Sequence, residues 1–182
     1  MPHRSWTLLG SRPVSDHRIF RIRHDLYRFE PGGIEREFVV IESGDWVNVV
    51  PVTDDGRVVL IRQFRHGVRE LSLEIPGGII DPGETPQTAA VRELREETGY
   101  VPERVRLLGR VHSNPAIHNN HTYMFLAEGC QPTAAADPEP LERIEVVPYP
   151  LAEIPDLVRR EEIRHSLVIC ALALAGLMKD FS

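Results

Sequence analysis

The sequence predicts an α+β domain, and three observations carry that prediction. Strand-like runs fall on both sides of one sharply bounded helix, an Asp-Gly turn joins two of them, and the helical segments gather at the C-terminal end. Strands and helices do not alternate strictly, so a purely parallel sheet is not expected. A chain of 182 residues suits one ordinary domain with a small appendage. The boundary is expected near residue 45, with an N-terminal β segment over 1–45 and the main domain over 46–182.

The first segment reads as SWTLLG, HRIFRIRHDLYRF and EREFVVIES, with a turn at Pro31 to Gly33. Two strands flanking that Gly-rich turn predict a hairpin. From Trp46 the pattern tightens. WVNVVPVT, the turn Asp54-Asp55-Gly56-Arg57 and VVLIRQF predict a second hairpin, because Asp-Gly supplies the positive φ that a tight turn needs. A short strand over 71–75 leads into Pro76, Gly77 and Gly78. The spacing then predicts a helix over 86–98: Thr85 suits the N-cap, Pro86 the first helical position and Gly99 the C-terminal cap. Strands follow over 104–111, 121–128 and 142–149, then two helical segments, the second over about 166–179. QPTAAADPEP at 131–140 reads as a loop, either a lid beside a site or a plain connector.

Composition narrows the function. A formal net charge of -6 argues against a long nucleic acid, whose binding rests on many Lys and Arg contacts to phosphate. A small anionic ligand is still allowed if bound cations and local arginines reverse the sign within a site. Cys130 and Cys170 have no metal-ligand spacing and suggest no disulfide framework, the N-terminus has no signal-like apolar run, and the apolar stretch 167–178 is too short to span a bilayer. A cytoplasmic protein with no membrane association is expected.

On a helix turning about 100° per residue, with Glu93 at zero, Glu97 falls at about 40° and Glu96 at about 300°. Ala89 and Ala90 fall on the same side of the helix. Val91, Leu94 and Thr98 form a separate stripe expected to pack on the sheet. Three carboxylates on one face repel one another. A solvated acidic face is the usual outcome for a Glu-rich helix; a hard divalent cation, which prefers oxygen ligands, is the alternative.

The whole segment GGIIDPGETPQTAAVRELREETGY decides between them. Gly78 is followed after five residues by Glu84, and after seven more by Arg92, Glu93, Leu94, Arg95, Glu96, Glu97, Thr98, Gly99 and Tyr100. This resembles the Nudix box, G-x5-E-x7-R-E-U-x-E-E-x-G-U, where U is apolar. Tyr100 departs from the aliphatic residue usual there, at a packing position.

The resemblance implies a Nudix-like α/β/α sandwich with a mixed sheet and an N-terminal antiparallel β segment that serves dimerisation, hence a homodimer. It implies a metal-dependent hydrolase using Mg2+, with Mn2+ as an alternative. Glu93, Glu96, Glu97 and the backbone carbonyl of Gly77 would hold the metal, with Glu84 and Arg92 supporting them. A further loop glutamate would act as base or ligand; Glu142 is favoured over Glu139 because it adjoins the following strand. Arg62 and Arg65 in IRQFRHG resemble the substrate-contacting stretch of the ADP-ribose branch, and arginine forks suit phosphate oxygens. Pro115 lies near that branch's marker proline, within SNPAIHNNHTY.

Asn114 and His118 offer polar contacts beside Pro115, where an ordinary turn is an equal reading. Trp46 either stacks on a base or packs in the core. The expected substrate is therefore ADP-ribose or a related nucleoside diphosphate sugar. The competing readings are a hydrolase of nucleoside triphosphates or dinucleoside polyphosphates, and a module that binds a nucleotide sugar without cutting it.

Overall fold

The computed structural model describes residues 5–133, 135–137 and 143–178. It has mixed α and β content, and within the described residues the chain forms two units. One runs to Gly44 and takes in His112–His121; the other contains Asp45–Val111 and continues from Thr122.

The first unit is built on a three-stranded antiparallel sheet in the order β1 (Trp6–Asp16), β2 (Phe20–Phe29), β3 (Ile34–Ser43). The expected hairpin is β2–β3, and its turn places Gly32 and Gly33 at positive φ. β1 adds a third strand, so the pairing is more extensive than a single hairpin. The register aligns Trp6 with Phe29, Leu8 with Tyr27, Phe29 with Ile34 and Asp25 with Phe38. One face thus carries an aromatic row, with Trp6 4.8 Å from Phe29 and 5.6 Å from Phe38 between ring centres. Beside it Asp25 is buried, accepting from the Ser11 hydroxyl at 2.6 Å and from Arg23 at 2.9 and 3.1 Å. Those bonds offset the cost of burying the carboxylate and hold it below the usual range, with Arg23 the largest cause.

The second unit holds two larger sheets. One is mixed, in the order β7 (Gly77–Ile79), β4 (Trp46–Pro51), β10 (His121–Glu128), β9 (Arg104–His112). β4 runs parallel to β10 and antiparallel to β7. The other has the order β12 (Glu145–Pro150), β5 (Arg57–Arg65), β6 (Glu70–Glu74). A two-stranded pair joins β8 (Tyr100–Val101) to β11 (Gln131–Pro132). The helices are α1 (Pro86–Thr98), α2 (Ile154–Arg159) and α3 (Ser166–Leu174).

Strand alternation creates two cores, one on each face of the mixed sheet. Val47 and Val49 of β4, with Phe125 and Ala127 of β10, pack against Ala89, Ala90 and Leu94 of α1. Val50, Met124 and Leu126 point the other way and join Leu157, Val168 and Leu172 from α2 and α3. Helices therefore cover both faces of the central strands.

Three expectations are corrected here. The Asp54–Arg57 turn forms, with the Thr53 N–H donating to the Arg57 carbonyl at 2.9 Å, but β4 and β5 diverge into different sheets after one bridge, Val52 to Val58. Turn chemistry set the reversal; the two cores pulled the strands apart. In α1, the core face holds Ala89, Ala90, Leu94, Glu97 and Thr98, whereas Val91 is half-buried. Small alanines let the helix approach the sheet closely, so the buried stripe lies nearer to the glutamates than their angles suggested. Finally, α3 stops at Leu174, because Gly176 takes φ 77° and the Leu177 N–H donates to the Leu172 carbonyl at 3.0 Å, a Schellman close.

The ends of α1 match the expectation. Thr85 accepts from the Thr88 N–H at 3.2 Å, and Gly99 is left-handed at φ 74° with its N–H donating to Arg95 at 2.8 Å. No helix among the described residues is long and apolar enough to cross a membrane. Because Leu94 is fully buried between α1 and the sheet, Leu94→Ala should cost about 2–5 kcal/mol in chemical denaturation. A loss below about 1 kcal/mol would contradict this packing.

Candidate active site on helix α1

The site starts from two glycines. Gly77 and Gly78 begin β7 and pair with Asn48 and Val47 of β4. A Cβ on Gly77 would collide with the Val47 carbonyl and the Asn48 side chain, and one on Gly78 would overlap the carboxylate of Glu93. Only glycine lets this strand lie between β4 and the helix with a carboxylate resting on its backbone.

Arg92 organises the side chains around that contact. Its Nε donates to Glu84 Oε1 at 3.1 Å and one terminal nitrogen donates to Glu84 Oε2 at 2.9 Å, a fork-to-fork pair. The same nitrogen reaches the Ile79 carbonyl at 3.1 Å. The other donates to Glu93 at 2.7 Å and to Glu96 at 3.1 Å. Glu97 turns toward the sheet, where its Oε2 accepts from the Gly77 N–H at 3.0 Å; its burial follows from that position on the core face. Asp81 stands 3.9 Å from Arg92, and its N–H donates to Glu84 at 3.3 Å.

Arg92 holds Glu84 below the usual carboxylate range, with the Asp81 N–H assisting against desolvation. Arg92 in turn is held more firmly protonated than an ordinary arginine, chiefly by Glu84 and then, against burial, by Glu93 and Glu96. Four glutamates and one arginine sum to a formal charge of about minus three, an excess that hard cations would relieve. Among the described residues, no three His, Cys, Asp or Glu side chains already form a cation cage. The donor chemistry still fits a hard divalent ion: carboxylate oxygens on one helix, with Glu93 seated on a glycine backbone that leaves no room for a Cβ. An incoming ion would compete with Arg92 for Glu93 and Glu96.

The structure thus brings Gly77, Glu84, Arg92, Glu93, Glu96 and Glu97 together. Arg65 is in the same unit but forms a fork-to-fork pair with buried Glu74, at 2.8 and 2.7 Å. Burial opposes ionisation of Glu74, yet Arg65 overcomes it and keeps the carboxyl below its ordinary range. Arg62 pairs with Glu145 at 2.8 Å. Trp46 opens β4 half-buried, aligned with Ile79 and Thr122.

Asn114, Pro115 and His118 belong instead to the unit formed with the N-terminal strands. The Asn114 carbonyl accepts from Ile117 and His118 N–H groups at 3.1 and 2.8 Å, and His118 bridges to Ile41. Glu139 and Glu142 lie outside the described residues. Their loop begins at β11; the Thr133 N–H donates to Gly99 at 3.1 Å and the Asp137 N–H to the Glu96 carbonyl at 2.8 Å, both at the C-terminal end of α1.

Sequence reasoning missed Glu74 and the Ile79 carbonyl. In LSLEI, Leu71 is exposed while the neighbours Leu73 and Glu74 are both buried, so no period-two pattern in the strand marks Glu74.

Comparisons with known proteins agree with the fold. The NUDIX domain family model matches residues 44–170. An ADP-ribose pyrophosphatase of Bacillus subtilis (strain 168) is 33% identical over a stretch covering 54% of this chain and 53% of that protein, so the match spans about half of that relative's length. An ADP-ribose pyrophosphatase of Mycobacterium tuberculosis is 29% identical over 94% of this chain and 84% of its own. A crystal structure of an ADP compounds hydrolase superposes with a TM-score of 0.83 and 26% identity, covering 94% of this chain and 92% of the other.

Because Glu84 has a lowered folded pKa, the stability it supplies is complete above the unfolded carboxylate pKa and disappears as pH falls through the lower folded value. Glu84→Gln should therefore be clearly less stable than wild type at about pH 7, and the gap should close toward about pH 3. A gap independent of pH, measured by denaturation, would contradict the pairing.

Proposed function

The chain belongs to the NUDIX domain family and is a Nudix hydrolase; from that premise we propose that it hydrolyses the diphosphate linkage of ADP-ribose or a related nucleoside diphosphate sugar. The single observation that supports this most is the Arg92-centred cluster of Glu84, Glu93 and Glu96, with Glu97 joined to it through the glycine pair. Relatives aligned over most of the chain carry ADP-ribose and ADP-compound activities in their names.

Nudix hydrolases generally use divalent metal ions, and Mg2+, with Mn2+ able to replace it, is the ion proposed here. Glu93, Glu96, Glu97 and the Gly77 carbonyl would hold it. When bound, it supplies charge neutralisation for the diphosphate and activation of a water molecule. Glu84 and Arg92 orient the carboxylates, and Glu142 is proposed as the loop base. Water adds to one phosphorus as the bond from that phosphorus to the bridging oxygen breaks, giving a nucleoside monophosphate and a sugar phosphate. Arg65, Arg62, Trp46, Asn114, Pro115 and His118 are the proposed substrate contacts.

A reducing, cytoplasmic setting is proposed from the two free cysteines. We also propose a homodimer through the first unit, because Trp6, Leu8, Ile34 and Phe38 stand exposed on one sheet face. Sedimentation should report a dimer that Trp6→Glu with Phe38→Glu converts to monomer; a wild-type monomer would overturn this proposal.

The activity is tested with a panel of diphosphate sugars, nucleoside triphosphates and dinucleoside polyphosphates under saturating Mg2+, with products identified directly. ADP-ribose should give AMP and ribose 5-phosphate, and Glu97→Gln should lower kcat by about 100-fold or more with the fold retained. Absence of turnover on every diphosphate sugar would refute the substrate class, and pyrophosphate release from a triphosphate would favour the alternative.

A further inference from the structure

The hairpin of β5 and β6 buries two polar side chains, Gln63 and Glu74, among apolar core residues that include Leu60, Ile61 and Leu73, and exposes Phe64 and Leu71 toward its turn. Alternation puts Ile61, Gln63 and Arg65 of β5 on one face with Ser72 and Glu74 of β6; Gln63 pairs with Ser72 in the register, and both Gln63 and Glu74 are buried. The opposite face shows Phe64 and Leu71, a cross-strand pair that is largely exposed. Glu74 is aligned with Ile61 and Arg65 with Glu70, so Arg65 reaches back past the Gln63–Ser72 pair to grip Glu74 with two nitrogens at 2.8 and 2.7 Å.

Stability alone does not favour this arrangement. Burying an ion pair costs several kcal/mol per ion before its attraction is counted, and well-packed apolar residues often do as well or better. Such pairs do hold a side chain in one orientation. Glu74 is 1% exposed, whereas the Arg65 side chain is 39% exposed, so the fixed member is inside and the cation it orients reaches solvent. Glu74 also leads directly through Ile75 and Pro76 into Gly77, and the Pro76 carbonyl accepts from the Val49 N–H at 2.9 Å.

We propose that Glu74 is a positioning residue for the diphosphate substrate, acting through Arg65: the fork-to-fork pair fixes the guanidinium plane in which Arg65 meets an anionic phosphate oxygen. The proposal rests on the reading of the chain as a diphosphate-sugar hydrolase. A guanidinium already ordered by Glu74 loses less side-chain freedom when the anion binds. The effect therefore falls on substrate affinity.

The test is steady-state kinetics on ADP-ribose with Mg2+, alongside thermal melting, for Glu74→Gln, Glu74→Asp, Arg65→Lys and the Glu74→Gln, Arg65→Lys double variant. Glu74→Gln should raise KM about tenfold with a much smaller change in kcat, and Glu74→Asp, which keeps the charge, should recover part of that loss. The double variant should be no worse than Arg65→Lys alone, because both changes remove one device. A lower Tm for Glu74→Gln with KM unchanged would overturn the proposal and leave a structural ion pair. An unchanged KM for Arg65→Lys would overturn it while leaving the hydrolase reading intact. Wild-type protein that cuts no diphosphate sugar would remove both.

Discussion

The guanidinium of Arg92 is the interaction on which the site depends. Glutamates at positions 93, 96 and 97 of one helix, with Glu84 near its start, would repel one another without a counter-charge. Arg92 grips Glu84 with two nitrogens, collects Glu93 and Glu96, and ties the group to the Ile79 carbonyl on β7. The acidic face is thereby fixed to the edge of the mixed sheet. One positive charge still leaves the cluster strongly negative, which is the electrostatic condition for cation binding.

That arrangement is possible because α1 can lie close to the sheet. Ala89 and Ala90 place nothing bulky between the helix and Val47 and Val49, and Gly77 and Gly78 keep β7 thin enough for Glu93 to rest on its backbone. The same closeness buries Glu97 against the Gly77 N–H. Period-two alternation in β4 and β10 supplies a second core for α2 and α3, so the strands beneath the site are held from both faces.

Much of this was legible in the sequence because it is written locally. Thr85, Pro86 and Gly99 bound α1 through cap chemistry that needs no tertiary partner, and the spacing from Gly78 to Tyr100 picks out the residues that meet at Arg92. What was not legible depends on distant packing. An Asp-Gly turn announces a reversal but not that its strands enter different sheets. Helical angles separate faces but do not say how near the sheet two alanines allow, which is why Ala89, Ala90 and Glu97 were misjudged. Glu74 is buried against the usual preference of its residue type because Arg65, nine residues earlier, satisfies it. No strand pattern encodes such a pairing.

The carboxylate face of α1 is the proposed seat of a divalent cation. Mn2+ titration followed by electron paramagnetic resonance, on wild type and on a variant carrying Glu93→Gln, Glu96→Gln and Glu97→Gln, tests it directly. The free Mn2+ signal should fall saturably with wild type and not with the variant, at matched helical content. Equal binding by the two proteins would contradict it.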